Sequence, residues 1–145
     1  MIKKEKHTMP AADKTTLHSG GCLCGAVRFS VSGDPTGGNH CHCGMCRKDS
    51  GSGVSTFVTF PTATLKWEGK PAEFESSPNR FRGFCPKCGS SLTWRHGDYP
   101  EFLDFRLGSF DDPTPFKAKK HLWMSTALPS FAGIDPDIEH IDQSS

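Results

Sequence analysis

Gly21-Cys22-Leu23-Cys24-Gly25-Ala26-Val27-Arg28-Phe29-Ser30-Val31 carries two signals in one short stretch. In its second half, apolar Val27, Phe29 and Val31 alternate with Arg28 and Ser30, the period of a strand with one face buried. Its first half, Cys-x-Cys-Gly, puts two thiols on the same side of a strand end. A strand that begins at paired thiols reads as β structure held by metal. The matching half-site lies far downstream, in Cys85-Pro86-Lys87-Cys88-Gly89. Cys-x-x-Cys lets one tight turn offer two thiolates to one ion, and the glycine after it lets backbone N–H groups face the sulfurs. Cys22, Cys24, Cys85 and Cys88 together make a tetrahedral zinc site that pins the start of the domain to its middle. The competing reading is four unconnected thiols packed as small hydrophobic side chains.

Working outward, the same alternation recurs at residues 54–60 and 103–107, with further candidate strands at 72–76, 90–95 and 121–125. Turn clusters separate them, among them Ser32-Gly33-Asp34-Pro35 and Asp111-Asp112-Pro113. Arg80-Phe81-Arg82 alternates charge with an aromatic ring and reads as a strand face. No window sustains a helical period, although a short helical turn fits after Cys43. The pattern predicts an all-β fold. A chain of 145 residues with 15 Gly and 11 Pro suits one domain of short strands and many turns. Residues 1–15 are polar and lysine-bearing and read as a disordered leader, residues 16–131 as the zinc domain, and residues 132–145 as a loosely packed acidic tail.

Charge and cysteine count narrow the class. A net charge of +1 and a pI near 7.6 give no electrostatic footprint for nucleic acid or an anionic membrane. No apolar run approaches the roughly 18 residues of a membrane span, and the lysines near the N-terminus precede no apolar signal segment. A cytoplasmic protein is the expectation. Seven cysteines, an odd number and all clustered, point there to metal or redox chemistry before disulfides.

Removing the four-cysteine site leaves Cys41, Cys43 and Cys46, all within one short loop. Three protein ligands on zinc leave an open coordination position, the feature that separates catalytic from structural zinc. Two alternatives stand beside this. His40 or His42 could close the site as a fourth ligand, although adjacent side chains on an extended segment face opposite ways. The cluster could also be a metal-free redox switch.

In order along the chain, Cys22-Leu23-Cys24-Gly25, Cys41-His42-Cys43-Gly44-Met45-Cys46-Arg47-Lys48 and Phe84-Cys85-Pro86-Lys87-Cys88-Gly89 resemble the glutathione-dependent formaldehyde-activating (GFA) enzymes, a family that also includes centromere protein V. The likeness runs over about residues 17 to 131. It implies small antiparallel sheets in a β-tent stapled by structural zinc, and the same division of the cysteines into two metal sites, two zinc ions per chain. It also implies glutathione as co-substrate with formaldehyde, in a carbon–sulfur lyase reaction. Where relatives tend to carry D-x-L-P, this chain has Asp135-Pro136-Asp137-Ile138-Glu139, and a different substrate would follow if that segment bordered the pocket.

These readings predict an enzyme that acts on a small thiol and an aldehyde at the zinc of Cys41, Cys43 and Cys46. Three thiolates leave that site at a net charge of about −1, which favours carbon–sulfur chemistry over attack by metal-bound hydroxide. Arg47 and Lys48 would give a positive rim for the carboxylates of glutathione; as alternatives they are solvated surface charges or donors to the sulfurs. His42 and His121 are candidate proton carriers, and Trp67, Trp94 and Phe57 candidate pocket walls. The rival from another class is a non-catalytic zinc-binding β module for a protein or small-molecule partner.

Overall fold

Eleven strands, one α-helix and three single-turn 3-10 helices make up the regular structure among residues 16–142, which the computed structural model describes. The strands are β1 (Leu17–Gly21), β2 (Arg28–Ser32), β3 (Gly37–Cys41), β4 (Ser55–Pro61), β5 (Lys66–Glu68), β6 (Ala72–Ser77), β7 (Arg80–Phe84), β8 (Ser91–His96), β9 (Phe102–Arg106), β10 (Lys120–Leu122) and β11 (Glu139–Ile141), and the helix is α1 (Gly44–Ser50). The expected leader, residues 1–15, lies outside the described residues. The fold is all-β, as the alternation predicts. No helix of the described residues is long and apolar enough to cross a membrane.

Two sheets share the strands. The smaller runs β1-β2-β5 and the larger β11-β10-β3-β4-β9-β8-β7-β6. Alternation dictates how they meet. Phe29 and Val31 of β2 face Val58 and Phe60 of β4 and Leu103 and Phe105 of β9, with Phe110 and Phe116 closing the cluster. Phe29 sits 4.5 Å from Phe105 and 5.1 Å from Phe110 between ring centroids. Burying one such side chain contributes about 1.5–3 kcal/mol, so this aromatic layer packs the two sheets together along β2, β4 and β9. Trp67 of β5 packs edge-on against Phe29. It belongs to this core and not to a pocket.

The other face of the larger sheet does not meet the smaller one. There the register places Asn39 opposite Phe57, Phe57 opposite Arg106, Thr59 opposite Asp104, Asp104 opposite Trp94, and Trp94 opposite Arg82. Because side chains alternate at period two, these residues line one surface together with Cys41.

Two features depart from an antiparallel expectation. β10 pairs parallel with both β3 and β11. The strand expected over 121–125 also ends early, because Trp123 turns into the left-handed region at φ 59° and leaves the ladder. Within the expected loose tail, residues 139–141 form the edge strand β11, while the exposure of Glu139 and His140 is that of a surface segment.

Candidate metal centres

The first centre joins the two sheets at one end. Cys22 and Cys24 lie in the turn between β1 and β2, and Cys85 and Cys88 in the turn between β7 and β8. Each turn is closed by backbone bonds: Gly25 N–H donates to the Cys22 carbonyl and Gly89 N–H to that of Cys85. Both glycines sit at φ +80°, a region closed to most side chains. The turns then aim donors at sulfur. Val27 N–H lies 3.2 Å from Cys22 Sγ, and the N–H groups of Lys87 and Cys88 each 3.4 Å from Cys85 Sγ. All four sulfurs lie within 4.8 Å of one another. A tetrahedron with Zn–S bonds of about 2.3 Å has edges of about 3.8 Å. The Cys22–Cys24 and Cys24–Cys85 sulfur separations, 3.6 and 3.8 Å, match that edge. Hydrogen bonds from Ser90 and a backbone contact with Cys24 hold the Cys88 thiol down at about 5, which favours the thiolate that a cation needs.

The second centre is built where β3 runs into α1. Cys41 ends β3, Cys43 caps α1, and Cys46 lies in its first turn. Cys43 Sγ accepts from Cys46 N–H at 3.3 Å, the side-chain cap that a short helix needs for an otherwise unpaired donor. The three sulfurs lie within 4.8 Å of one another, with Cys41 and Cys43 at 3.5 Å. So close together they cannot all ionise unaided. Thiol hydrogen bonds from Cys41 and Cys46 pull Cys43 down to about 2, while the contacts to Cys43 and Cys46 push Cys41 well above the ordinary thiol range. A bound cation would let all three exist as thiolates. The soft donors and their separations fit zinc here too.

Neither histidine closes this site. His42 turns to the opposite face and places Nε2 2.9 Å from Nδ1 of His121, both rings fully buried. Burial, with the neighbouring histidines, keeps His42 below its usual pKa. His40 is held by Thr56 and Asp135, each at 2.7 Å. His42 and His121, predicted as proton carriers, sit behind the sheet and away from the sulfurs. Asp135, at the departure from the family pattern, also belongs to this rear cluster: its carbonyl lies 3.1 Å from Nε2 of His121.

In front of the sulfurs lies a cavity of about 450 Å³. Cys41, Cys43 and Cys46 contribute to its floor, and Phe57, Trp94, Leu122, Trp123 and Met45 form apolar walls. Phe57 and Trp94 thus take the predicted wall positions. Arg47 and Lys48 do not line it: Arg47 is half-buried beside Gly44 and Lys48 is exposed. The helix turns successive side chains by about 100°, so adjacency to Cys46 in sequence does not bring them to the cavity. The cations that do line it are Arg80 and Arg82, on β7.

Arg82, 3% exposed, is tied into the centre. Its two terminal nitrogens lie 3.6 and 3.7 Å from Cys46 Sγ, its Nε donates to Ser76 Oγ at 2.9 Å, and Nη1 reaches Asp49 Oδ2 at 3.3 Å. Asp49 Oδ2 also accepts from Arg106 and, at 3.0 Å, from Ser91 Oγ. Arg106 in turn donates to Ser55 and lies 4.3 Å over the Phe57 ring. Losing one partner of a buried charge pair costs about 3–5 kcal/mol, so this network fixes α1, and with it Cys46, against β7 and β9. Motif reading missed these residues, because they come from separate strands and meet only through sheet register.

The sequence model of the family described as "Glutathione-dependent formaldehyde-activating enzyme" matches residues 17–126. A Halomonas elongata protein, provisionally named a glutathione-dependent formaldehyde-activating enzyme, is 34% identical over 109 residues, covering 68% of this chain and 69% of that protein. A crystal structure of a Rhodobacter sphaeroides protein superposes with a TM-score of 0.52 at 15% identity, over 84% of this chain and 98% of that one. That likeness concerns the fold alone.

Proposed function

The chain belongs to the glutathione-dependent formaldehyde-activating enzyme family, and from that premise we propose that Cys41, Cys43 and Cys46 would hold zinc and that the cavity over them joins a thiol to an aldehyde carbon. Cys22, Cys24, Cys85 and Cys88 would hold a second, structural zinc. The observation that carries the reading is that Cys41, Cys43 and Cys46 converge, without a fourth side-chain ligand among the described residues, on a cavity large enough for a small molecule. Zinc held there would supply the Lewis acidity that keeps an incoming sulfur in its thiolate form. The thiol taken is glutathione and the aldehyde formaldehyde. The thiol sulfur bonds to the carbonyl carbon, the C=O π pair moves to oxygen, and the proton released by the thiol ends on that oxygen, giving S-(hydroxymethyl)glutathione.

The chain's own residues prepare this step. Arg82 offsets the excess negative charge of three thiolates through its contacts with Cys46. Its donors are used internally, so a carboxylate of the ligand falls to Arg80. Arg80 spends Nη1 on the Pro78 carbonyl and keeps the rest of its fork for the cavity. Phe57, Trp94, Leu122 and Trp123 exclude water from the reacting sulfur.

Titration calorimetry tests the capture of sulfur. Glutathione should bind zinc-loaded protein with release of about one proton. S-methylglutathione, which keeps both carboxylates but has no thiol to ionise, should bind at least roughly tenfold more weakly. Equal affinity for the two would place glutathione in the cavity without its sulfur on metal and would end the reading.

A further inference from the structure

A second cavity, also of about 450 Å³, adjoins the one over the sulfurs and shares Asn39, Leu122, Trp94 and Asp104 with it. The four lie on the face of the larger sheet that looks away from the smaller one, so the two cavities are successive parts of one cleft along that face. Beyond the shared residues it is lined by Thr59, His96, Tyr99 and Lys120, among others.

Asp104 is the acid at the junction. It accepts a hydrogen bond from Thr59 Oγ1 and has no ion-pair partner among the described residues. Burial raises its pKa, against the pull of the Thr59 hydroxyl and the field of Lys120. Lys120 acts on this carboxylate through its field alone, at no ion-pair distance, and so leaves room for a ligand's cation in direct contact with it. Asn39, 8% exposed, stands on the same face with Oδ1 accepting no hydrogen bond. Both residues therefore offer acceptors to an N–H-bearing group.

Register sets the length of the ligand. Gly37 pairs with Thr59 and Thr59 with Asp104, which puts Asp104 level with a point four residues before Cys41 on β3. At about 3.3 Å per residue that is about 13 Å along the strand, shortened by the reach of the side chains. A single amino acid cannot span it, whereas a thiol of tripeptide length can.

Resting on the thiol-capture reading above, we propose that Asp104 binds the ammonium group of a peptide-length thiol whose sulfur lies at Cys41, Cys43 and Cys46, and so selects amine-bearing thiols over those whose nitrogen is blocked. Arg80 meets a carboxylate of the same ligand, and Asn39 Oδ1 an N–H along its backbone.

The test is titration calorimetry of the zinc-loaded full chain, parent and Asp104→Asn. The ligands are glutathione and glutathione acetylated on its amino nitrogen. Asparagine keeps the size of the side chain and an acceptor for Thr59, and a circular-dichroism melt checks that the variant folds. The parent should bind the acetylated ligand roughly tenfold or more weakly than glutathione. Asp104→Asn should bind glutathione about as weakly as the parent binds the blocked ligand, and should separate the two ligands by no more than about twofold. Equal binding of both by the parent overturns the role of Asp104 and leaves thiol capture standing. An acetylation penalty as large in Asp104→Asn as in the parent means crowding by the acetyl group, and overturns it as well. Binding of neither ligand by the parent defeats thiol capture itself, and this inference with it.

Discussion

Cys88→Ser is expected to lose one metal ion per chain and to abolish the cooperative melt at ordinary temperatures. Cys88 is exposed, so a serine there creates no cavity and buries no new polar atom. Any loss must come from the metal. The site it breaks ties the turn between β1 and β2 to the turn between β7 and β8, joining a three-stranded sheet to an eight-stranded one. Structural zinc supplies about 10–16 kcal/mol in small zinc domains, while whole domains are stable by about 5–15 kcal/mol. The small cluster of Cys22, Val27, Cys85 and Leu92 around it is too slight to replace that staple. Circular-dichroism melting with metal analysis on the same sample checks the result, and chelation of the parent should reproduce it. A Cys88→Ser protein that keeps two zinc ions and melts with the parent would show that these four cysteines are not the staple.

Cys43→Ser is expected to do the opposite: to abolish metal binding at the second centre and all sulfur-dependent binding of glutathione, while the domain still melts within a few degrees of the parent. Cys43 caps α1 by accepting from Cys46 N–H, and serine is among the best residues for that position. The network of Asp49, Arg82 and Arg106, which anchors α1, does not include Cys43. Two remaining thiols hold zinc far more weakly than three. Metal content, a thermal melt and a glutathione titration on this one variant check the three parts together. If Cys43→Ser unfolds as Cys88→Ser does, the second centre is structural.

The sequence reveals a strand where one face meets the core and the other meets something polar. Residues 27–31, 54–60 and 103–107 satisfy that, and β2, β4 and β9 follow them closely. β3 does not, because Gly37-Gly38-Asn39-His40-Cys41 is poor in strand formers. It is extended only because β4 and β10 hydrogen-bond to it on either side. β11 is hidden for the same reason, being an edge added to β10 inside an acidic segment. The centres divide in the same way. All seven cysteines could be sorted from their spacing, since each short motif sits in one turn and Cys41, Cys43 and Cys46 share a single segment. Arg82, Asp104 and Asn39 could not, because they are adjacent across strands and not along the chain. Arg47 and Lys48 show the converse, lying next to Cys46 in sequence but outside the lining of the cavity.

X-ray absorption at the zinc edge, on protein carrying two zinc ions per chain, measures the state of the second centre directly. Four sulfurs at one ion and three at the other give an average of about 3.5 sulfurs per zinc, at about 2.3 Å, with lighter atoms making up the remainder. Adding glutathione should raise that average to about 4, and S-methylglutathione should leave it unchanged. An average that stays near 3.5 with saturating glutathione would contradict capture of a thiol at Cys41, Cys43 and Cys46.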